Sequence, residues 1–292
     1  MWDAWRWEPA PLIGLALAAG VYGRGLAALW RRAGLGRGVS CAKALLFAAG
    51  LLSFFVALIS PLNRLSEGLL WAHMVQHLVL VLIAAPLVVL GAPLLPFLWA
   101  FPRPARRALG RWWKEAATVR AIWHGLSRPL AVWPLHAAAL WIWHLPALFQ
   151  AALASELLHA VEHGCFFGTA LLFWRALAPA GRRARLSYGA GVLYVFAGGV
   201  QSGLLGALMT FAPAPWYPAY AARAALRGLT PLEDQQLAGL IMWVPAGLIY
   251  LHVAILLFLT WVNAEREIVI PKTDAGAPAC RAGLVSGGRS IG

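Results

Sequence analysis

Two pairs of histidines stand four residues apart within apolar stretches of the chain: His73 with His77, and His159 with His163. Residues at i and i+4 lie on one face of an α-helix, so each pair can offer two imidazoles to one ion. Ionisable side chains are costly to place inside a membrane, which makes them candidates for function there. The two pairs therefore predict a metal or cofactor site built from two helices.

Three further residues are candidate ligands for the same site: His144, Met74 and Met242. Soft thioether sulfur selects Cu(I), whereas imidazole alone would also suit zinc or iron. The combination of imidazole and thioether predicts copper, as Cu(I), as the bound metal. Glu162, Asp234 and Gln76 are predicted to lie behind the ligands and to orient the imidazoles.

The composition decides which elements must carry these residues. Of the 292 residues, 61% are hydrophobic and 12% charged, and the mean hydropathy is +0.70. A water-soluble domain carries about a quarter charged residues, so a soluble protein is excluded. We expect an all-α integral membrane protein, a bundle of seven transmembrane helices, because seven apolar runs are each long enough to cross a bilayer. The predicted spans are 10–30, 41–59, 69–92, 130–150, 156–178, 187–211 and 236–262, with Pro86 or Pro93 bending or ending the third.

The basic residues predict the orientation of these spans. The formal net charge is +13, and most of the 24 Lys and Arg residues fall in alternate connections on one side. The positive-inside rule then places the N-terminus outside and the C-terminus inside, and no nucleic-acid partner is needed to explain the charge. Residues 1–264 form the predicted membrane domain, and 265–292 a cytoplasmic tail without fixed structure. In this orientation the candidate ligands share the outer half of the membrane.

The connection between the third and fourth spans combines arginines with tryptophans at helical spacing. We predict a basic interfacial helix that lies on anionic lipids. A solvated basic linker is the alternative. The residues expected at the membrane surface are Arg106, Arg107, Arg111, Trp112, Trp113 and Lys114.

Several short motifs resemble the CtaG family of cytochrome c oxidase assembly factors, in order from about residue 50 to 262. They are His73-Met74-Val75-Gln76-His77, Ala85-Pro86-Leu87, Gly91-Ala92-Pro93, Trp143-His144-Leu145-Pro146, His159-Ala160-Val161-Glu162-His163 leading to Phe173-Trp174, and Asp234-Gln235-Gln236 leading to Gly239 and Met242-Trp243.

The resemblance implies a seven-span protein of the bacterial inner membrane that is needed to build haem-copper oxidases and supplies copper to their binuclear centre. The leading hypothesis is thus a non-enzymatic metallochaperone or assembly factor. Its expected partners are the oxidase subunit that carries the copper site, a periplasmic copper donor and anionic lipids.

Two other classes of function stay open at this point. One is a membrane enzyme or electron carrier that binds haem or a di-iron centre through the same histidines. The other is a transporter that carries copper across the bilayer, for which His136 and His252 are the inward candidates.

Overall fold

The computed structural model describes residues 5, 7–178 and 186–269. All regular secondary structure in this part of the chain is helical, without a strand, as the apolar pattern predicted. The predicted tail lies almost wholly outside the described residues, and the division into a membrane domain and a tail stays a prediction. The helices are α1 (Pro9–Ala33), α2 (Cys41–Leu58), α3 (Pro61–Ser66), α4 (Leu70–Leu78), α5 (Ala85–Leu90), α6 (Leu94–Trp99), α7 (Arg103–Glu115), α8 (Ala117–Leu126), α9 (Pro129–Trp143), α10 (Pro146–Ala154), α11 (Glu156–Leu177), α12 (Tyr188–Thr210), α13 (Ala221–Ala225) and α14 (Pro231–Val269).

Six helical segments of the described chain are long and apolar enough to cross a membrane. They are α1, α2, the continuous segment Leu70–Leu90, α11, α12 and α14, and they coincide with six of the seven predicted spans. Their outward sides expose many large apolar side chains, which is expected where lipid rather than water surrounds the protein. A multi-pass membrane protein is therefore the class that the fold defines.

The fourth predicted span is bent rather than straight. The axes of α9 and α10 differ by 73°, and the bend occurs at His144 and Leu145. The 15 residues of α9 extend only about 22 Å, too short to cross the hydrocarbon core alone. Pro146 begins α10. A proline is tolerated there because the N–H groups of the first helical residues have no acceptor within the helix. The described part of the chain therefore has six candidate spans, or seven when this bent pair counts as one.

The third span contains a π-helical segment, Val79–Ala84, between α4 and α5. This segment ends two residues before Pro86, whose ring removes one N–H from the helical hydrogen-bond pattern. The indole Nε1 of Trp174 on α11 donates to the carbonyl of Val81 at 2.8 Å, so a neighbouring helix satisfies a backbone group of the irregular region. The span then ends at Leu90, followed by Gly91.

Small residues allow the last two long helices to pack closely. A Cβ added at Gly206 of α12 would lie 2.8 Å from the carbonyl oxygen of Gly239 on α14. One added at Gly239 would lie 2.5 Å from the carbonyl oxygen of Gly206. Only glycine fits at such a crossing, and this close contact holds α14 against the bundle.

The basic connection after the third span folds as two helices, α7 and α8, and none of their residues is buried. Arg107, Arg111, Trp112 and Lys114 are exposed, while Arg106 and Trp113 are half-buried. The exposed apolar side chains of the two helices include Leu109, Val119 and Ile122. An amphipathic surface of this kind is typical of helices that lie on a membrane, and contact with lipid stays a prediction.

Candidate metal centre

The helices α4 and α11 bring both predicted histidine pairs together. The ring centroids are 4.2 Å apart for His73 and His77, and 4.3 Å apart for His159 and His163. Across the two helices the rings of His73 and His159 stack at 5.3 Å, and those of His77 and His163 lie 5.2 Å apart. The i, i+4 spacing thus places four imidazoles in one cluster.

The bend between α9 and α10 brings a fifth imidazole to the cluster. The ring of His144 lies 6.2 Å from that of His77. Its Nδ1 donates to the carbonyl of Leu140 at 2.7 Å, since a carbonyl can only accept. That hydrogen bond fixes the tautomer, so Nε2 of His144 keeps its lone pair for a ligand. We call these five residues, His73, His77, His144, His159 and His163, the histidine cluster.

Several ring nitrogens of the histidine cluster are buried and have no hydrogen-bond partner within the part of the chain that the structure describes. They include both nitrogens of His73 and His77 and the Nε2 atoms of His144 and His163. His73, His77 and His144 are only 1%, 5% and 3% exposed. An unpaired polar atom in such a place costs free energy, and a bound metal ion is one partner that would remove that cost.

Two overlapping groups within the cluster have ligand atoms close enough for one ion. His73, His159 and His163 form the first, and His73, His77 and Glu162 the second, with all ligand atoms of each group within 4.8 Å of one another. The donor set of the first group is wholly imidazole, which suits Cu(I) and also zinc. The predicted residues therefore fit a transition-metal ion.

Glu162 lies where the sequence placed it, on the face of α11 that carries the histidines. It is fully buried, and its Oε1 is 3.8 Å from Nε2 of His77. Neither carboxylate oxygen has a hydrogen-bond partner among the described residues. When ionised, this carboxyl group offers negative charge to a cation bound among the imidazoles, and burial strengthens that attraction.

The two methionines predicted as ligands, Met74 and Met242, pack in an apolar region next to the histidines. Met74, Met209 and Met242 belong to one apolar cluster with Phe149 and Tyr217. Met74 and Met242 also line a buried cavity of about 40 Å³ together with His77 and His144. That volume exceeds the space of one water molecule, so thioether and imidazole groups face a cavity that can hold an ion.

Gln76 and Asp234 bind backbone and amide groups instead of the imidazoles. Nε2 of Gln76 donates to the carbonyl of Ala57 and to Oδ1 of Asn63, at 2.9 and 2.8 Å. The two carboxylate oxygens of Asp234 accept the backbone N–H groups of Leu70 and Trp71, at 2.8 and 3.0 Å. These side chains fix α4 against its neighbours, so their effect on the histidines is through the helix position.

Aromatic side chains that the sequence did not single out enclose the cluster. Phe166 lies 4.7 Å from His77, Phe149 lies 5.2 Å from His73, and Tyr220 lies 6.5 Å from His73, between ring centroids. Phe166 follows His163 by three residues, so helical spacing alone could have found it. Phe149 and Tyr220 come from α10 and a distant connection, and no local pattern points to them.

Two tyrosines of the connection after α12 close over the site. Tyr217 donates to the carbonyl of His144 at 2.7 Å, and Tyr220 to the carbonyl of Ser66 at 3.0 Å. Burial, with a smaller contribution from the Glu162 carboxylate, raises the pKa of both phenols. Both therefore remain protonated donors, and the hydrogen bond of Tyr217 holds the bend where His144 lies.

An open cavity of about 560 Å³ reaches the histidine cluster from one end of the bundle. Its lining includes His73 and His159, with Glu67, Glu156 and Arg223 nearer its rim. His159 and His163 are half-buried, in contrast to the buried His73 and His77. We call this cavity the vestibule, since it gives an ion or a partner access to the first imidazoles of the cluster.

The remaining histidines do not join the cluster. His136 is buried, and its Nδ1 lies 2.9 Å from the hydroxyl of Thr169. His252 is exposed on α14, and His124 is exposed on α8.

The fold and the cluster together define an all-helical, multi-pass membrane protein with a buried histidine-rich site. Comparison with protein families identifies the particular family. Residues 20–264 match the cytochrome c oxidase caa3 assembly factor family (Caa3_CtaG), and the chain belongs to it. The resemblance in the sequence motifs is thereby confirmed. No curated protein and no solved structure matches the chain.

Proposed function

We propose that the protein binds Cu(I) on the histidine cluster and supplies it to the copper site of a haem-copper oxidase in the bacterial inner membrane. The family is one of cytochrome c oxidase assembly factors, and this role implies the oxidase as the partner. The observation that carries the copper proposal is the convergence of five imidazoles from three helical segments, with unpaired ring nitrogens beside an open vestibule. Such a role requires binding and release of the metal and no catalysed reaction.

The gradient of burial within the cluster supports transfer of the ion. His159 and His163 are half-buried, and His159 lines the vestibule, whereas His73 and His77 are buried. His73 belongs to both groups of close ligand atoms. An ion received on the half-buried pair could pass to the deeper pair by exchanging one imidazole at a time, and return by the same steps. Stepwise exchange avoids release of a free ion.

Cu(I) rather than a harder ion is favoured by the neighbouring cavity. Met74 and Met242 line it with His77 and His144, so thioether sulfur is available at the deep end of the cluster. Soft sulfur ligands select Cu(I).

The two other classes of function receive less support. A transporter needs ligands at successive depths, but His136 is bound to Thr169 and His252 is exposed. A haem with two imidazole ligands needs one histidine from each of two helices. A haem site of that kind leaves unexplained why two histidine pairs and His144 converge.

The test uses the purified full-length protein and a variant with His73, His77, His159 and His163 changed to alanine. Matched control variants change the exposed His124 and His252 to alanine. We expect wild type and control to bind Cu(I) in competition with a chromophoric chelator, with histidine coordination in X-ray absorption spectra, and the fourfold variant to lose it.

A cellular arm measures oxidase copper in a strain that carries each variant instead of the wild-type protein. We expect the fourfold variant to yield oxidase with reduced copper content. Full copper content in that strain, or absence of histidine coordination in the Cu(I)-loaded protein, contradicts the proposal. A Soret band in the purified protein would favour haem instead.

A further inference from the structure

A second large cavity lies at the junction of α1 with the connection between α6 and α7. It measures about 590 Å³, and five arginines line it, three from α1 and two from α7. We call it the arginine pocket: Arg24, Arg31, Arg32, Arg103 and Arg106, together with Trp99. The metal proposal does not involve these residues.

The charge of the arginine pocket is not balanced within its own lining. Among the described residues that surround the cavity, none carries a carboxylate. Guanidinium groups stay charged at all relevant pH values, so five of them around one cavity repel each other. A bound anion would relieve this repulsion.

The guanidinium groups are held in place before any ligand binds. The Arg106 guanidinium lies over the Trp99 ring, 4.3 Å from its centroid, and that of Arg32 lies 5.9 Å from the same ring. Nε of Arg24 donates to the carbonyl of Ala100 at 3.1 Å. Arginines held in this way lose little conformational freedom when they bind a ligand.

One of these groups has a buried donor without a partner. Nε of Arg106 is inaccessible to solvent and makes no hydrogen bond with the described chain. A buried N–H group of a charged side chain is normally hydrogen-bonded, because leaving it unpaired is costly. The phosphate oxygens of a ligand would satisfy it, and guanidinium groups bind phosphate in bidentate geometry.

The close packing of α1 on α6 shapes the pocket. A Cβ added at Gly25 would lie 1.7 Å from the carbonyl oxygen of Pro96. Glycine at this position therefore lets α1 approach α6 closely. The preceding residue, Arg24, can then donate its hydrogen bond to the carbonyl of Ala100. The pocket is a consequence of helix packing and not of a flexible loop.

Apolar surface continues from the pocket along the outside of α6. Phe101 lines the cavity and is 52% exposed, and Leu94 and Leu98 on α6 are 59% and 42% exposed. A small soluble anion would have no use for this surface, whereas the acyl chains of a lipid would cover it. The combination of arginines with adjoining apolar surface is the arrangement that an amphiphilic phosphate ester needs.

We propose that the arginine pocket binds the phosphate group of an anionic phospholipid, whose acyl chains lie along α6. A lipid in this position joins α1 to the start of α7 and so anchors the basic helices α7 and α8 to the bundle. This site is independent of the histidine cluster and of the metal that it binds.

The experiment measures binding of phosphatidylglycerol and phosphatidylcholine to the full-length detergent-purified protein by native mass spectrometry. The test variant combines Arg32→Gln with Arg106→Gln. The matched control combines Arg37→Gln with Arg128→Gln, which removes the same charge from exposed positions outside both the pocket and the basic helix α7. We expect wild type and control to retain phosphatidylglycerol over phosphatidylcholine, and the test variant to lose about tenfold or more in affinity for it, since charge-assisted hydrogen bonds are among the strong ones.

Three results would overturn the proposal. The first is equal retention of the two lipids by the wild type. The second is an equal loss in test and control variants, which would mean unspecific attraction to a basic surface. The third is displacement of phosphatidylglycerol by inorganic phosphate or glycerol phosphate at millimolar concentration, which would mean a free-anion site. If the double variant does not purify as a single species, Arg106→Gln alone is measured, with Arg37→Gln as control, and interpreted by the same criteria.

Discussion

Glu162 is the acidic side chain within the histidine cluster, and its position bears on which metal the site prefers. Its Oε1 lies 3.8 Å from Nε2 of His77. One of its carboxylate oxygens and one ring nitrogen each from His73 and His77 all lie within 4.8 Å of one another. At this distance the carboxylate can act in two ways: as a direct ligand, or as a charge that stabilises a cation held by the imidazoles. The two roles differ in their consequences for hard and soft ions.

We predict that Glu162→Gln lowers the affinity for Zn²⁺ and Cu²⁺ by about 10- to 100-fold, the usual effect of losing a group beside the ligands, and that for Cu(I) by less. Soft Cu(I) gains less from a carboxylate than the harder divalent ions do. Competition titrations with a chromophoric chelator measure all three affinities. Glu156→Gln, at the rim of the vestibule, is the matched control. A larger loss for Cu(I) than for Zn²⁺ would contradict this assignment.

At the scale of the elements, the start of α4 depends on a residue from the far end of the sequence. Asp234, in the first turn of α14, accepts the backbone N–H groups of Leu70 and Trp71. The first N–H groups of a helix have no partner within it, so the carboxylate supplies what α4 lacks. His73 follows Leu70 by three residues, and its position relies on this helix start.

We predict that Asp234→Asn destabilises the protein by about 1–3 kcal/mol, because an amide accepts through one oxygen and leaves a buried N–H unpaired. The midpoint of thermal unfolding in detergent measures this change. The control is Glu233→Gln, an exposed neighbour whose side chain accepts the N–H and hydroxyl of Thr230, the residue just before the same helix. We also expect weaker Cu(I) binding in Asp234→Asn. An unchanged midpoint would mean that α4 does not depend on this cap.

The difference between the roles predicted and found for Asp234 illustrates what sequence can establish. Local spacing identified the face shared by His73 and His77 and the apolar lengths of the long helices, because both depend on helix geometry alone. The bend at His144 depends on Tyr217, and the partners of Asp234 and Gln76 come from other helices. Contacts of that kind are decided by packing between distant parts of the chain, on which local spacing carries no information. The amphipathic pattern predicted the basic helices α7 and α8. It did not predict the arginine pocket, which also requires Arg24 and Arg32 of α1.

At the scale of the whole molecule, the two open cavities lie at connections that alternate along the chain. The vestibule lining includes Glu67, which follows α3, Glu156, which begins α11, and Tyr220, which precedes α13. The arginine pocket is formed by the end of α1 and the start of α7. Trp123 of α8 follows the arginine pocket in the sequence and contacts the end of α11. The guanidinium carbon of Arg175 lies 5.8 Å from the centroid of the Trp123 ring. Successive connections of a helix bundle lie at opposite ends. With the bent pair α9 and α10 counted as one crossing, the vestibule and the arginine pocket therefore lie at opposite ends of the bundle.

The positive-inside rule assigns the arginine-rich end to the cytoplasm, so the vestibule should open on the opposite, outer side. We predict that a cysteine placed at Glu67 or Glu156 reacts with a membrane-impermeant maleimide in intact spheroplasts, in a background where Cys41, Cys165 and Cys280 are serine. A cysteine at Arg103 should react only after the membrane is permeabilised. The Cu(I) binding of each variant, measured after purification, controls for misfolding. Labelling of Arg103→Cys from outside, with Glu67→Cys protected, would invert the orientation and turn the vestibule toward the cytoplasm. The histidine cluster would then exchange its metal with a partner on that side.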